Sequence, residues 1–144
     1  MMDYENWGPV GYDPGISEEA WMDLLNNYSI FDDNSLIVMK CLLDYDSKEA
    51  CGTASCIQLA AEYGRDFRFY NAVSKGLAKR VLDKTGCPEP PLTGQYKNEK
   101  YWPILFFGKP TQKKEDGHFF WRLRPELKRA LVRMIVKDVS LFAP

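Results

Sequence analysis

The chain has 144 residues, 45% of them hydrophobic and 14% aromatic, with a net charge of −1. This composition fits one globular domain with a real core and excludes a disordered or collagen-like chain. No run approaches the roughly 18 apolar residues of a membrane span, and the opening MMDYENWGPV lacks the basic and apolar regions of a secretory signal, so a cytoplasmic protein without a membrane partner is expected.

The small net charge hides an asymmetry. Residues 1–33 hold eight acids and no Lys or Arg; residues 65–84 carry a balance of +4 and residues 97–133 one of +6. A polyanion can answer to such local fields even where the total is slightly acidic. The four cysteines, Cys41, Cys51, Cys56 and Cys87, form no CxxC pair, and His118 is the single histidine. Structural zinc prefers closely spaced ligand pairs, so reduced, buried thiols are the better reading and no cofactor is expected.

In chain order, residues 1–16 read as an extended lead-in rich in Gly, Pro and aromatics, with Trp7 and Tyr12 as anchors. Ser17 caps a helix over SEEAWMDLLNN, with acids in its first turn and Trp21, Leu24 and Leu25 inward. Asp33 or Asn34 is the expected cap of a second helix through about Tyr45, with Leu36, Met39, Leu42 and Leu43 on its apolar face.

Two helices joined by a tight turn follow, from Thr53 to Gly86. The first starts at Thr53 or Ser55; Ser55 and Gln58 have capping-box spacing, and Gly64 suits its end. The second runs from near Asp66 to Gly86. At about 100° per residue, Tyr70, Val73, Leu77 and Val81 share one sector, while Arg68, Asn71, Lys75 and Lys79 share the opposite one. A short helix, a glycine turn and a helix with a basic front is the pattern of a helix-turn-helix reader of DNA. The plainer alternative is a helical hairpin whose charged face is merely solvated.

CPEPPLTGQYKNEK is a loop, and YWPILFFG (101–108) is a short β-type run in which Pro103 marks an edge strand or delays pairing until after it. HFFWRLR (118–124) alternates, with Phe119, Trp121 and Leu123 on one side and His118, Phe120, Arg122 and Arg124 on the other. The two runs predict a β-hairpin around a basic loop carrying Lys113 and Lys114. Pro125 suits the first turn of a last helix, PELKRALVRMIVKD, with Leu127, Ala130, Leu131, Met134 and Ile135 inward. The expected fold is thus α+β and winged-helix-like: lead-in 1–16, one domain over 17–139, and a tail or linker start at 140–144.

No Walker loop, GxGxxG, HExxH or GxSxG occurs, and the acids nearest His118 sit in a loop. Binding rather than catalysis is therefore expected, and no catalytic residue is assigned.

EEAWMDLL (18–25), CIQLAAEYGR (56–65), FYNAVSKGLAKRV (69–81), KTGCP (84–88), YWPILFFG (101–108) and FFWRLRPEL (119–127) together resemble the N-terminal module found ahead of McrB-type AAA+ GTPases and HNH endonucleases in bacterial restriction systems that target modified cytosine. The resemblance implies recognition of double-stranded DNA in phage defence, with cutting done by a nuclease or AAA+ motor domain or subunit. It favours Tyr70, Asn71, Lys79 and Arg80 in the helix and Trp102, Trp121 and Arg122 in the hairpin.

Periodicity then sorts these positions. Tyr70 belongs to the core side. Asn71 faces front, where an amide can pair with adenine, and Arg68, Lys75 and Lys79 suit phosphate or guanine. Arg80 lies at the flank, where a salt bridge to an acid such as Asp83 competes with a DNA role. Lys113 and Lys114 at the hairpin tip suit phosphate. Tyr101, Trp102 and Phe120 are either core or a cage stacked around a flipped, modified base. Against DNA binding stands a second class of function. The acidic, aromatic N-terminus, with Tyr4, Trp7, Tyr12 and Trp21, docks a partner subunit and the helix-turn-helix is only scaffold.

Overall fold

The computed structural model describes residues 12–49, 54–90, 101–109 and 120–137; the expectations for residues 1–11, Lys113, Lys114, His118, Phe119 and the tail lie outside them. Among the described residues the fold is α+β and mostly helical, with five α-helices and one small antiparallel sheet.

Helix α1 (Glu18–Leu25) is capped by Ser17, whose hydroxyl accepts from the Ala20 amide at 3.1 Å, and it buries Trp21, Met22, Leu24 and Leu25. Helix α2 (Asp33–Glu49) runs past the expected end at Tyr45. Its cap is neither Asp33 nor Asn34: Asp32 accepts from both the amide and the hydroxyl of Ser35, at 2.9 and 2.8 Å. One carboxylate thereby satisfies two donors of a fully buried serine.

The strand β1 (Ala54–Ser55) has no counterpart in the sequence expectations. It leads directly into α3 (Cys56–Tyr63), where Ser55 and Gln58 form the capping box that their spacing predicts. Gly64 ends α3. Asp66 caps α4 (Phe67–Thr85), and Gly86, at φ 67°, closes that helix in the left-handed conformation glycine adopts most readily.

Pro103 sits inside a 3-10 turn over Trp102–Ile104, so the run at 101–108 becomes a strand only at β2 (Phe106–Lys109). Strand β3 (Phe120–Leu123) is central: Trp121 faces Ala54 on one side and Gly108 on the other, giving the order β1-β3-β2. Helix α5 (Pro125–Lys137) follows at once, with Leu127, Ala130, Leu131 and Met134 buried.

The core joins α1, α2, α4 and α5 to the sheet, with Trp21, Phe31, Tyr70, Trp102 and Phe106 among its largest buried side chains. Trp121 stacks on Phe106 with centroids 4.6 Å apart. The side of β3 expected to be polar is also covered. Arg122 and Arg124 are 8% and 3% exposed. The Arg124 guanidinium donates to the Pro103 carbonyl at 2.7 Å and lies 4.5 Å from the Phe107 ring centroid. Tyr12, whose hydroxyl donates to the Pro88 carbonyl at 2.7 Å, covers it from the N-terminal side.

Much of the charge asymmetry is consumed internally. Arg129 and Arg133 of α5 bond Glu18 of α1 at 2.8 and 2.7 Å; Arg133 also bonds Glu19, and Lys128 pairs with Asp46 of α2. Among the described residues no helix is long and apolar enough to cross a membrane.

Candidate nucleic-acid interface

Helix α4 carries the candidate row because its two faces are built differently. Tyr70, Ser74, Leu77, Ala78, Val81 and Leu82 are buried, so the back is core. Tyr70 is 1% exposed, as its periodicity predicts, and its hydroxyl donates to the Gly64 carbonyl at 2.7 Å, tying the inter-helix turn to α4. The opposite side presents Arg68, Asn71, Ala72, Lys75, Lys79 and Asp83, exposed or half-buried. From Arg68 to Lys79 the row spans about 16 Å at the α-helical rise, and a single helix of this kind fits a major groove about 12 Å wide.

The cations on the row differ in what they already hold. Arg68 grips Asp66 through Nε and a terminal nitrogen, at 2.9 and 2.8 Å, while its side chain stays 77% exposed. The Arg68 side chain and the Arg68 amide together hold the Asp66 carboxyl well below the usual carboxylate range, and the same contact raises the arginine. Lys79 donates to Asp83 one helical turn on, at 2.6 Å, which raises its own pKa. It also lies 5.8 Å from the Tyr101 ring centroid. Lys75 forms no ion pair with a described residue. Both pairs are exposed and are screened by salt.

Arg80 belongs to a different group. Its Nε donates to the Ile30 carbonyl and a terminal nitrogen to the Ser35 hydroxyl, both at 2.9 Å, with Asp32 3.7 Å away. It links α4 to the α1–α2 junction. The acid beside it is Asp32, not Asp83, which Lys79 occupies.

The hairpin candidates divide in the same way. Trp102 is fully buried and Arg122 nearly so, which places both in the interior rather than at a ligand-facing surface. Tyr101 and Phe120 remain half-buried. The row on α4 and Tyr101 come together through Lys79; Arg80, Trp102 and Arg122 do not join them.

Sequence reasoning passed over a second feature beside α4. Arg65, between Gly64 and Asp66, has φ 68°, the left-handed conformation a side chain adopts at a cost of about 1 kcal/mol. Its guanidinium lies 4.4 Å from the Phe69 ring centroid, at the rim of a cavity of about 550 Å³ between α2 and the turn. The sequence carries no signal for it, since the left-handed position at a helix end is ordinarily supplied by the glycine itself, here Gly64 at φ 84°.

Among the described residues no group of three or more His, Cys, Asp or Glu is placed to hold a metal, and Cys41, Cys56 and Cys87 are reduced thiols. Comparison of the chain with protein-family models, with curated proteins and with solved structures found no match.

Proposed function

We propose that the chain is a non-catalytic DNA-binding specificity module of winged-helix type, which lays the Arg68–Lys79 face of α4 in a major groove and its hairpin loop against the adjoining backbone. The observation that supports this best is topological. Strand, helix, glycine turn and helix are followed by a two-strand hairpin whose second strand pairs with the first, in the order β1-β3-β2. That order belongs to winged helix-turn-helix readers, in which the helix after the turn enters the groove and the hairpin forms the wing. Arg68, Lys75 and Lys79 bind phosphate or guanine, Asn71 pairs with adenine, and Tyr101 packs at the edge of the contact. In line with the family resemblance, the duplex surveyed is foreign DNA carrying modified cytosine, and a nuclease or AAA+ motor acts on what the module finds.

The test is an anisotropy titration of plain, 5-methylcytosine and 5-hydroxymethylcytosine duplexes at two salt concentrations. Wild-type binding falls steeply with salt because phosphate contacts release counterions. Lys75→Ala with Lys79→Ala weakens every duplex and lowers the log–log salt slope by about one for each phosphate left without its lysine. Unchanged affinity of this double variant at low salt would sink the proposal.

One observation favours a second reading, a protein-docking module in which α4 is scaffold. Arg68 and Lys79 arrive with their own carboxylates, so the row is less cationic than its composition. That reading expects no duplex binding and a stable complex with a partner subunit.

A further inference from the structure

The candidate row occupies one flank of α4 only. At about 100° per residue, Phe69, Ala72 and Lys75 stand about 60° apart around the helix. Ala72 is exposed and marks the centre of the outward face, between two half-buried neighbours. Arg68, Asn71, Lys75 and Lys79 all fall on the Lys75 side of it. The other side offers Phe69, Val73, Gly76 and Arg80. The first three carry no charge, and Arg80 is turned inward onto the Ile30 carbonyl and the Ser35 hydroxyl. A helix about 10–12 Å across lying in a groove about 12 Å wide has a sugar-phosphate strand along each flank. One strand would meet the row, and the other would meet a flank whose own side chains offer it no cation.

The turn before α4 supplies one. Arg65 is exposed, and its guanidinium lies 4.4 Å from the Phe69 ring centroid, on the flank the row leaves bare. The ring beneath it is fixed: Phe69 packs edge-on against Tyr70, with centroids 5.4 Å apart at 85°, and Tyr70 is bonded to the Gly64 carbonyl. Arg68 and Lys79 each hold a carboxylate, whereas Arg65 forms no ion pair among the described residues. A guanidinium resting on a ring keeps its N–H donors for a phosphate, and it has less freedom to lose on binding than a solvated one. At φ 68° the chain also keeps a side chain where glycine would sit with less strain.

We propose that Arg65 is a phosphate-binding residue, which grips the strand on the flank of α4 opposite Lys75, so that the helix is held in its groove from both sides. The inference rests on the DNA reading of α4 and adds to it a contact from outside that helix. As a backbone contact it fixes how α4 is seated and carries no base preference of its own.

The experiment is an anisotropy titration of the full chain with plain and 5-methylcytosine duplexes over a series of salt concentrations, for the wild type, Arg65→Gly and Arg65→Lys. Arg65→Gly is expected to bind every duplex about tenfold more weakly, through the loss of one charge-assisted contact, and to lower the log–log salt slope by about one. Its melting temperature does not fall, because glycine accepts the positive φ. Arg65→Lys keeps the charge, so it retains the wild-type slope and recovers part of the affinity. Wild-type duplex binding with affinity and slope unchanged in Arg65→Gly would overturn the inference and leave the reading of α4 standing. A loss confined to one duplex, or a slope in Arg65→Lys as low as in Arg65→Gly, would overturn it as well. No duplex binding by the wild type at low salt would sink both.

Discussion

Single residues decide how much of α4's charge reaches a ligand. Asp66 and Asp83 pair with Arg68 and Lys79, and on the proposed reading they compete with phosphate for them. Replacing both by Asn keeps an N-capping side chain at position 66 and removes the competitors. Asp66→Asn with Asp83→Asn is expected to tighten duplex binding and steepen its salt dependence, read by the same anisotropy titration. Asp66 also links stability to pH. Its folded pKa is depressed, chiefly by the Arg68 side chain, so the folded state binds fewer protons than the unfolded one. Its contribution is complete above the unfolded carboxylate value of about 4 and is lost as pH falls through the lower folded value. Denaturant midpoints at pH 7 and pH 3 should show a smaller acid loss in Asp66→Asn than in the wild type. Arg80 acts in the interior instead. Arg80→Ala leaves the Ile30 carbonyl and the Ser35 hydroxyl without their donor, and the denaturation midpoint should fall by the equivalent of about 1–3 kcal/mol.

At the scale of elements, what the sequence discloses depends on how local the determinant is. The ends of α4 are written in Asp66 and Gly86, and the start of α3 in Ser55 and Gln58, because caps are formed by residues within a turn of the end they serve. Ser55→Ala should cost about 1 kcal/mol through the lost cap, and Gly86→Ala about the same through the positive φ, both measurable by urea titration. β1 has no such signal. Two residues carry no period, and Ala54 and Ser55 are a strand only because β3 passes them, more than sixty positions later. Asp32 outcompeted its neighbours as the cap of α2 because burying Ser35 required an acceptor for its hydroxyl, a tertiary demand that spacing does not record. Pro103 gave a mixed signal, and the chain resolved it with a 3-10 turn that places pairing after the ring.

Across the whole molecule, the candidate interface was legible as a face and illegible as a surface. Periodicity separates Tyr70 from Arg68, Asn71, Lys75 and Lys79, since a helix has one back. It cannot tell that β3 is covered on both sides or that the 3-10 turn before β2 is packed inward, so Arg122 and Trp102 look available in the sequence and are interior in the fold. It also cannot tell that the acidic start and basic end of the chain meet. Glu18 and Glu19 take up Arg129 and Arg133, and the hydrogen bonds from Arg133 and Arg129 hold the Glu18 carboxyl below its usual range. Glu18→Gln with Glu19→Gln should therefore lower the melting temperature and raise retention on heparin, with most of the difference disappearing in high salt. The contact between α1 and α5 has a practical consequence for anyone trimming the protein. A fragment beginning at α2 would leave two arginines and the bed of Trp21 uncovered at once. It would cling to any polyanion and to itself, so deletion mapping would report an affinity in α5 that the intact chain does not express.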